Sequence, residues 1–171
     1  MSEHLTTNPE AIETVRELIK DIDTAMLTTI SGGRLVSRPM KTQEIEFDGD
    51  LWFLTKKDTS KYEDILQDPR VNVSYAGKSY VSISGTAEFI DDPARKKEML
   101  NKIIEKILDT SPDDPNLLLI KIHTETAEYW ESGSAIKMVT HLLKKAVGKT
   151  SDPKSEPGLN EKVDLSHAPK S

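Results

Sequence analysis

The chain has 171 residues, with 23 Lys and Arg against 29 Asp and Glu, a formal net charge of −6, and no cysteine. That length suits one domain with a core of its own. The missing cysteines exclude disulfides, thiolate catalysis and cysteine-ligated zinc, and the acidic balance opposes attraction to nucleic acid or anionic membranes.

Met1-Ser2-Glu3-His4 is polar, with no basic-then-apolar leader, and no apolar run approaches the roughly 20 residues of a membrane span. A soluble, cytoplasmic protein is therefore expected. Asn8-Pro9-Glu10 sets an N-cap before a proline at the first helical position, and Ile12, Val15, Ile19 and Ile22 recur at helical spacing, predicting a helix to about Asp23. Ala25 to Ile30 is strand-like, and Ser31-Gly32-Gly33 is a hairpin turn in which glycine supplies positive φ. Leu35 to Lys41 and Thr42 to Phe47 read as strands, and Asp48-Gly49 signals a hairpin before the strand Leu51 to Thr55. A short helix over residues 60–67 ends at Asp68-Pro69.

Val71 to Tyr75 and Tyr80 to Ile90 alternate, the second with Val81, Ile83, Gly85 and Ala87 on one face. A glycine inside such a strand predicts a bulge or a close backbone approach. Asp92-Pro93 opens a third helix whose apolar stripe runs through Met99/Leu100, Ile103/Ile104 and Ile107/Leu108. Leu117 to Trp130 reads as a long final strand, and Ser134 caps a last helix carrying Ile136, Val139, Leu142, Leu143 and Val147. Residues 1–148 are expected to form the domain, and 149–171, nearly devoid of apolar residues, a disordered tail. Strands joined by tight turns predict a mostly β (α+β) fold, a six- to seven-stranded antiparallel barrel with flanking helices. There is no Gly-x-Gly-x-x-Gly after a strand and no phosphate-binding P-loop, which excludes both nucleotide-binding folds built on them.

The chemistry concentrates where the strand Leu51 to Thr55 runs into the helix at Ser60. A helix N-terminus offers unpaired N–H groups and a partial positive charge, a ready anion site, and Thr55, Thr59, Ser60 and Lys61 add donors around it. Ser60 followed by Glu63 also reads as a capping box, a purely structural role. Lys61 is not explained by capping, because a cation in the first turn opposes the helix dipole; a bound phosphate explains it. Arg38-Pro39-Met40 lies in a strand that proline confines to an edge or bulge, leaving backbone free to meet a flat polar heterocycle or simply guarding an edge. Trp130 suits ring stacking, core packing or a subunit contact. His4, His123, His141 and His167 are scattered, so no metal site is expected, and with no nucleophile motif or evident general base any chemistry resides in a cofactor.

Taken in order, Arg38-Pro39-Met40, Leu51-Trp52-Phe53-Leu54-Thr55, Ser60 and Tyr62 around Lys61, Gly85-x-Ala87-Glu88 and Glu128-Tyr129-Trp130 resemble the pyridoxamine 5'-phosphate oxidase-like split-barrel flavoproteins, in particular their short general stress protein branch. The resemblance covers roughly residues 10–131. It implies a homodimer of split β-barrels with flavin mononucleotide (FMN) at the subunit interface, or alternatively flavin adenine dinucleotide (FAD) or a deazaflavin. By position, Arg38 and Lys61 would bind the phosphate, Thr55 and Ser60 donate hydrogen bonds, Pro39 and Met40 present backbone to the isoalloxazine edge, and Trp130 reach the flavin or the partner subunit. The chain lacks the Arg-x-His element that handles substrate in pyridoxamine phosphate oxidases, so that activity is not expected. The leading expectation is a stress-related flavin oxidoreductase of unassigned substrate, with no catalytic residue named. The rivals are a non-catalytic flavin store or sensor, a plain structural barrel and, last, a nucleic-acid binder.

Overall fold

The computed structural model describes residues 9–42, 47–131 and 161–165. Its elements run α1 (Pro9–Ile19), β1 (Thr24–Ser31), β2 (Arg34–Lys41), β3 (Asp50–Lys56), α2 (Ser60–Gln67), β4 (Arg70–Ala76), β5 (Ser79–Ile90), α3 (Pro93–Met99), α4 (Lys102–Leu108), β6 (Leu117–Glu131) and β7 (Glu161–Asp164). Six strands pair in the order β2-β1-β4-β5-β6-β3, every pair antiparallel, and β7 adds to β6. The fold is thus the mostly β, antiparallel curled sheet with flanking helices that the sequence predicts. No helix among the described residues is long and apolar enough to cross a membrane.

Alternation drives the packing. In β4, Val71, Val73 and Tyr75 turn inward while their neighbours stay more exposed, and β5 repeats this with Val81, Ile83, Gly85 and Ala87. These inward rows, with Leu27, Phe53, Ile120 and Ile122, form the main core, which α1 closes with Ile12, Val15 and Ile19. On β3 and β6 the opposite face is also covered, because Leu54, Leu117 and Leu119 pack under Met99 of α3 and Ile104 of α4. Two faces buried by two helix layers give β3 its nearly continuous apolar run.

Turn chemistry sets the registers. Gly32 and Gly33 both sit at positive φ, 56° and 77°, as a two-residue hairpin loop requires, and fix Leu27 opposite Arg38 and Thr28 opposite Ser37. Gly85 marks a bulge: the register shifts between Ser84 and Gly85, so that Ser84 faces Thr126 while Gly85 faces Thr124.

Five expectations are corrected or fall outside the described residues. The Asp48-Gly49 signal makes no hairpin among them, since β3 pairs only with β6, from Asp50↔His123 to Lys56↔Leu117. Instead the Asp48 carboxylate accepts the Asp50 N–H at 3.2 Å and Gly49 takes φ 113°, a local Asx turn that redirects the chain. The third helix is two helices, because Leu100 is extended (φ −80°, ψ 117°) and the Asn101 side chain re-caps α4 by accepting from the Ile104 N–H at 3.0 Å. Thr42 and Phe47 are not strand; the rest of that expected strand and the helix expected from Ser134 to Val147 lie outside the described residues. At 161–165 the expected disorder gives way to β7, with Leu165 fully buried, because one apolar anchor beside an open sheet edge suffices where average composition is polar.

Candidate functional site

Two of the expected donors, Arg38 and Lys61, come near each other where α2 meets the β1–β2 hairpin. Arg38 donates from Nη2 to Asp64 Oδ2 at 2.7 Å and from Nη1 to the Thr29 hydroxyl at 2.7 Å, and Thr29 in turn donates to Asp64 at 3.1 Å. Thr29 is fully buried and Asp64 nearly so. This triangle stitches α2 to β1 and β2 and fixes the guanidinium, leaving three of its five N–H donors outside these bonds. Burial pushes the Asp64 carboxyl up, but hydrogen bonds from Ser31, Arg38 and Thr29 and the guanidinium charge outweigh it and hold it below the usual carboxylate range.

Asp64→Ala leaves Arg38 without its counter-ion. Breaking a fully buried pair costs about 3–5 kcal/mol; with the Arg38 side chain still 20% exposed the expected loss is nearer about 2 kcal/mol, read from urea denaturation. The depressed carboxyl contributes stability above its unfolded value near 3.8, and that contribution disappears as pH falls through the lower folded value. Asp64→Asn should accordingly show a shallower loss of stability in acid than the parent protein.

Lys61 sits at the second position of α2. Its ammonium is held below the usual 10.5 first by burial, then by repulsion from Arg38, against a smaller pull from Asp58. The two cations are therefore close enough to repel each other, and Lys61 makes no ion pair with any described residue. The helix start itself corrects the expected capping box. The N-cap is Thr59, with φ −118° and ψ 148° and no side-chain cap hydrogen bond, which places Ser60 inside the helix and Tyr62, rather than Glu63, at the third position. Thr59 turns its hydroxyl back to the Lys56 carbonyl at 2.8 Å, so its side chain does not cap the first turn, where its backbone carbonyl takes the Tyr62 N–H at 3.1 Å. Thr55, on the strand feeding this turn, is almost completely buried and its hydroxyl has no hydrogen-bond partner.

Pro39 and Met40 lie on β2, an end strand of the six-strand path, where one edge pairs with no other described strand. Pro39 is exposed and faces Met26, while the Met40 side chain belongs to the core, so only its backbone is available to a ligand. Trp130 stands apart from Thr55 along β6. It faces Tyr80 near the far end of β6, 36% exposed, whereas Thr55 faces Leu118 near the start. The intervening residues span about 40 Å of strand path. Tyr62 of α2 instead packs on Phe89 of β5, ring centroids 4.7 Å apart.

Sequence reasoning missed Thr29 and Asp64. The available signal was an acidic residue on the otherwise apolar face of a short helix, beside Ile65; a buried carboxylate there requires a cation, and Arg38 is that cation.

The chain's sequence and fold have counterparts. The profile of the family described as pyridoxamine 5'-phosphate oxidase like matches residues 10–153. Protein bli-3 of Neurospora crassa is 30% identical over 119 residues, which span 61% of this chain and 57% of that protein. General stress protein 26 from Bacillus anthracis superposes with a TM-score of 0.64 at 28% identity, over 70% of this chain and 93% of that one. The general stress FMN/FAD binding protein from Xanthomonas citri gives a TM-score of 0.62 at 28% identity, over 74% and 92%.

Proposed function

The chain belongs to the pyridoxamine 5'-phosphate oxidase-like family, and from that premise we propose that it is a stress-related flavin oxidoreductase that holds FMN by its phosphate between Arg38 and Lys61. The observation carrying this reading is Lys61: a half-buried ammonium beside a second cation, at a helix start that no side chain caps. A phosphate monoester brings about −1.5 to −2 charges and three acceptor oxygens. It would relieve the repulsion, meet first-turn N–H groups that no side chain caps and give the orphaned Thr55 hydroxyl an acceptor. A single cation pair among the described residues favours a monophosphate, FMN, over FAD or a deazaflavin bearing a longer chain.

The bound flavin supplies the hydride and electron transfer. The protein's residues bind and orient it: Arg38, aimed by Asp64 and Thr29, and Lys61 hold the phosphate, Thr55 and Ser60 donate to it, and the β2 edge at Pro39 and Met40 offers backbone to the ring. Trp130 serves the site of a second copy, which makes the homodimer the working unit. The lack of an Arg-x-His element argues against vitamin B6 oxidation. A cysteine-free chain suits the reducing cytoplasm, where we place it. The flavin-binding domain is residues 1–148, completed by β7 from beyond that boundary.

Titration of the purified apoprotein with FMN, followed by flavin fluorescence, tests the reading; no uptake at micromolar concentrations overturns it. Oxidation of a nicotinamide cofactor by the loaded protein separates an oxidoreductase from a flavin store. Affinity should depend on pH in a defined direction. Below the lowered pKa of Lys61 the ammonium is charged with and without ligand, and binding is flat; above it, binding must restore the proton, so affinity falls as pH rises towards 10.5. That alkaline limb should vanish in Lys61→Met.

A further inference from the structure

β6 is 15 residues long and its two edges are treated differently. β5 pairs along nearly all of one edge, from Leu119 to Glu131. On the other, β3 stops at His123. The remaining edge is taken by β7, with Thr126 opposite Asp164 and Tyr129 opposite Glu161, and β7 pairs with no other described strand. The bulge makes this possible. Glu125 is the residue that β5 skips between Thr124 and Thr126, and its carbonyl accepts the Leu165 N–H at 2.7 Å. Leu165 then sits fully buried in the main core.

We infer that the edge of β6 from Glu125 to Tyr129 is a strand-acceptor site for a short extended peptide with a leucine anchor, occupied by the chain's own Glu161–Leu165 segment, and that its occupancy braces the end of β6 that carries Trp130. The hydrogen-bond ladder supplies register and the leucine socket supplies selectivity, the two ingredients of strand-addition binding. The segment is separable by construction. A four-residue strand and one buried side chain attach it, and 29 residues (132–160) join it to β6. A short edge pairing of this kind belongs to the least stable, independently opening parts of a fold. Trp130 and Glu131 continue directly from the braced stretch, so releasing β7 leaves that end of β6 paired on one side only. The coupling to flavin rests on the role proposed for Trp130; the acceptor site does not.

The test uses full-length Leu165→Asp, which empties the socket, and a fluorescent synthetic peptide of residues 160–166. The variant should bind the peptide saturably, the parent protein at least about tenfold more weakly because its own segment competes, and a peptide with aspartate at the leucine position should not bind. FMN affinity of the variant should drop at least about fivefold, the low end of ordinary coupling between sites, and recover when the peptide is added. Peptide binding equal in parent and variant, or absent in both, overturns the acceptor site; peptide binding with unchanged FMN affinity overturns the brace. A parent protein that ignores FMN while the variant still takes the peptide sinks the flavin reading and leaves the acceptor site standing. Should Leu165→Asp not fold, hydrogen exchange on the parent decides: the Leu165 amide should exchange well before the β5–β6 amides, and exchange of all of them together overturns the proposal.

Discussion

Lys61→Met is expected to weaken FMN binding by about 10–100-fold, the worth of one charge-assisted phosphate contact, while riboflavin binding stays nearly unchanged. The split follows from where the lysine sits. It is near Arg38, at the uncapped start of α2, and riboflavin lacks the phosphate that would lie there. Folding stability should hold or rise slightly. Lys61 pairs with no carboxylate among the described residues, and burial together with Arg38 disfavours its charge, so the unliganded fold loses nothing when the charge goes. Parallel titrations with the two flavins and a thermal melt of each apoprotein check the three statements. An equal loss for riboflavin would sink the phosphate assignment, and a large drop in melting temperature would show that Lys61 is structural.

The same chemistry explains the contrast between the two cations. Arg38 has an internal carboxylate and Lys61 has none among the described residues, so they are not interchangeable halves of one clamp. Asp64 holds the guanidinium in place whether or not a ligand is present; the ammonium has nothing comparable to hold it. A site built this way is half preorganised. On the proposed reading, its rigid half would set where the phosphate goes, and its unsatisfied half would supply most of the discrimination between a phosphorylated ligand and its parent alcohol.

Much of this could be read from residue order because the informative signals were local. Pro39 called for an edge or a bulge and β2 is an edge; Gly32-Gly33 called for a tight hairpin; Gly85 called for a bulge or a close backbone approach and sits at a bulge; residues 60–67 form the helix that Asp68-Pro69 terminates. What stayed hidden depends on partners distant in sequence or on one-residue shifts. Whether Thr59 or Ser60 caps α2 turns on a backbone carbonyl three residues upstream, at Lys56. Asp48-Gly49 looks the same whether the next strand returns to its neighbour or crosses to β6. The Thr29–Asp64 contact joins residues 35 apart, and β7 answers an edge left open by where β3 happens to stop. Of the site residues read from sequence, Arg38 and Lys61 come near each other, while Trp130 stands at the far end of β6 from the residue that faces Thr55.

Gly85→Ala should be a severe single-methyl change, costing about 3–5 kcal/mol. A Cβ built at this position would lie 2.2 Å from the His123 carbonyl oxygen, 3.0 Å from its carbon and 3.1 Å from Thr124 Cα. All three are backbone atoms of the adjacent strand, so no rotamer change can relieve the contact; β5 and β6 must separate or shift register. A register shift is worse than separation, since one residue of slip turns Ile83 and Ala87 out of the core. Neighbouring contacts also resist, because Thr124 Oγ1 donates to the Gly49 carbonyl and ties this point of β6 to the turn before β3. Set against a total stability of about 5–15 kcal/mol, such a loss lowers the melting temperature by about 10 °C or more. The damage should also reach the ligand, because Phe89, four residues along β5, supports Tyr62 at the start of α2. Urea denaturation measures the loss, and a variant within about 1 kcal/mol of the parent would mean that the bulge can migrate, in which case Glu125 no longer offers its carbonyl to Leu165 and β7 should lose its protection from exchange.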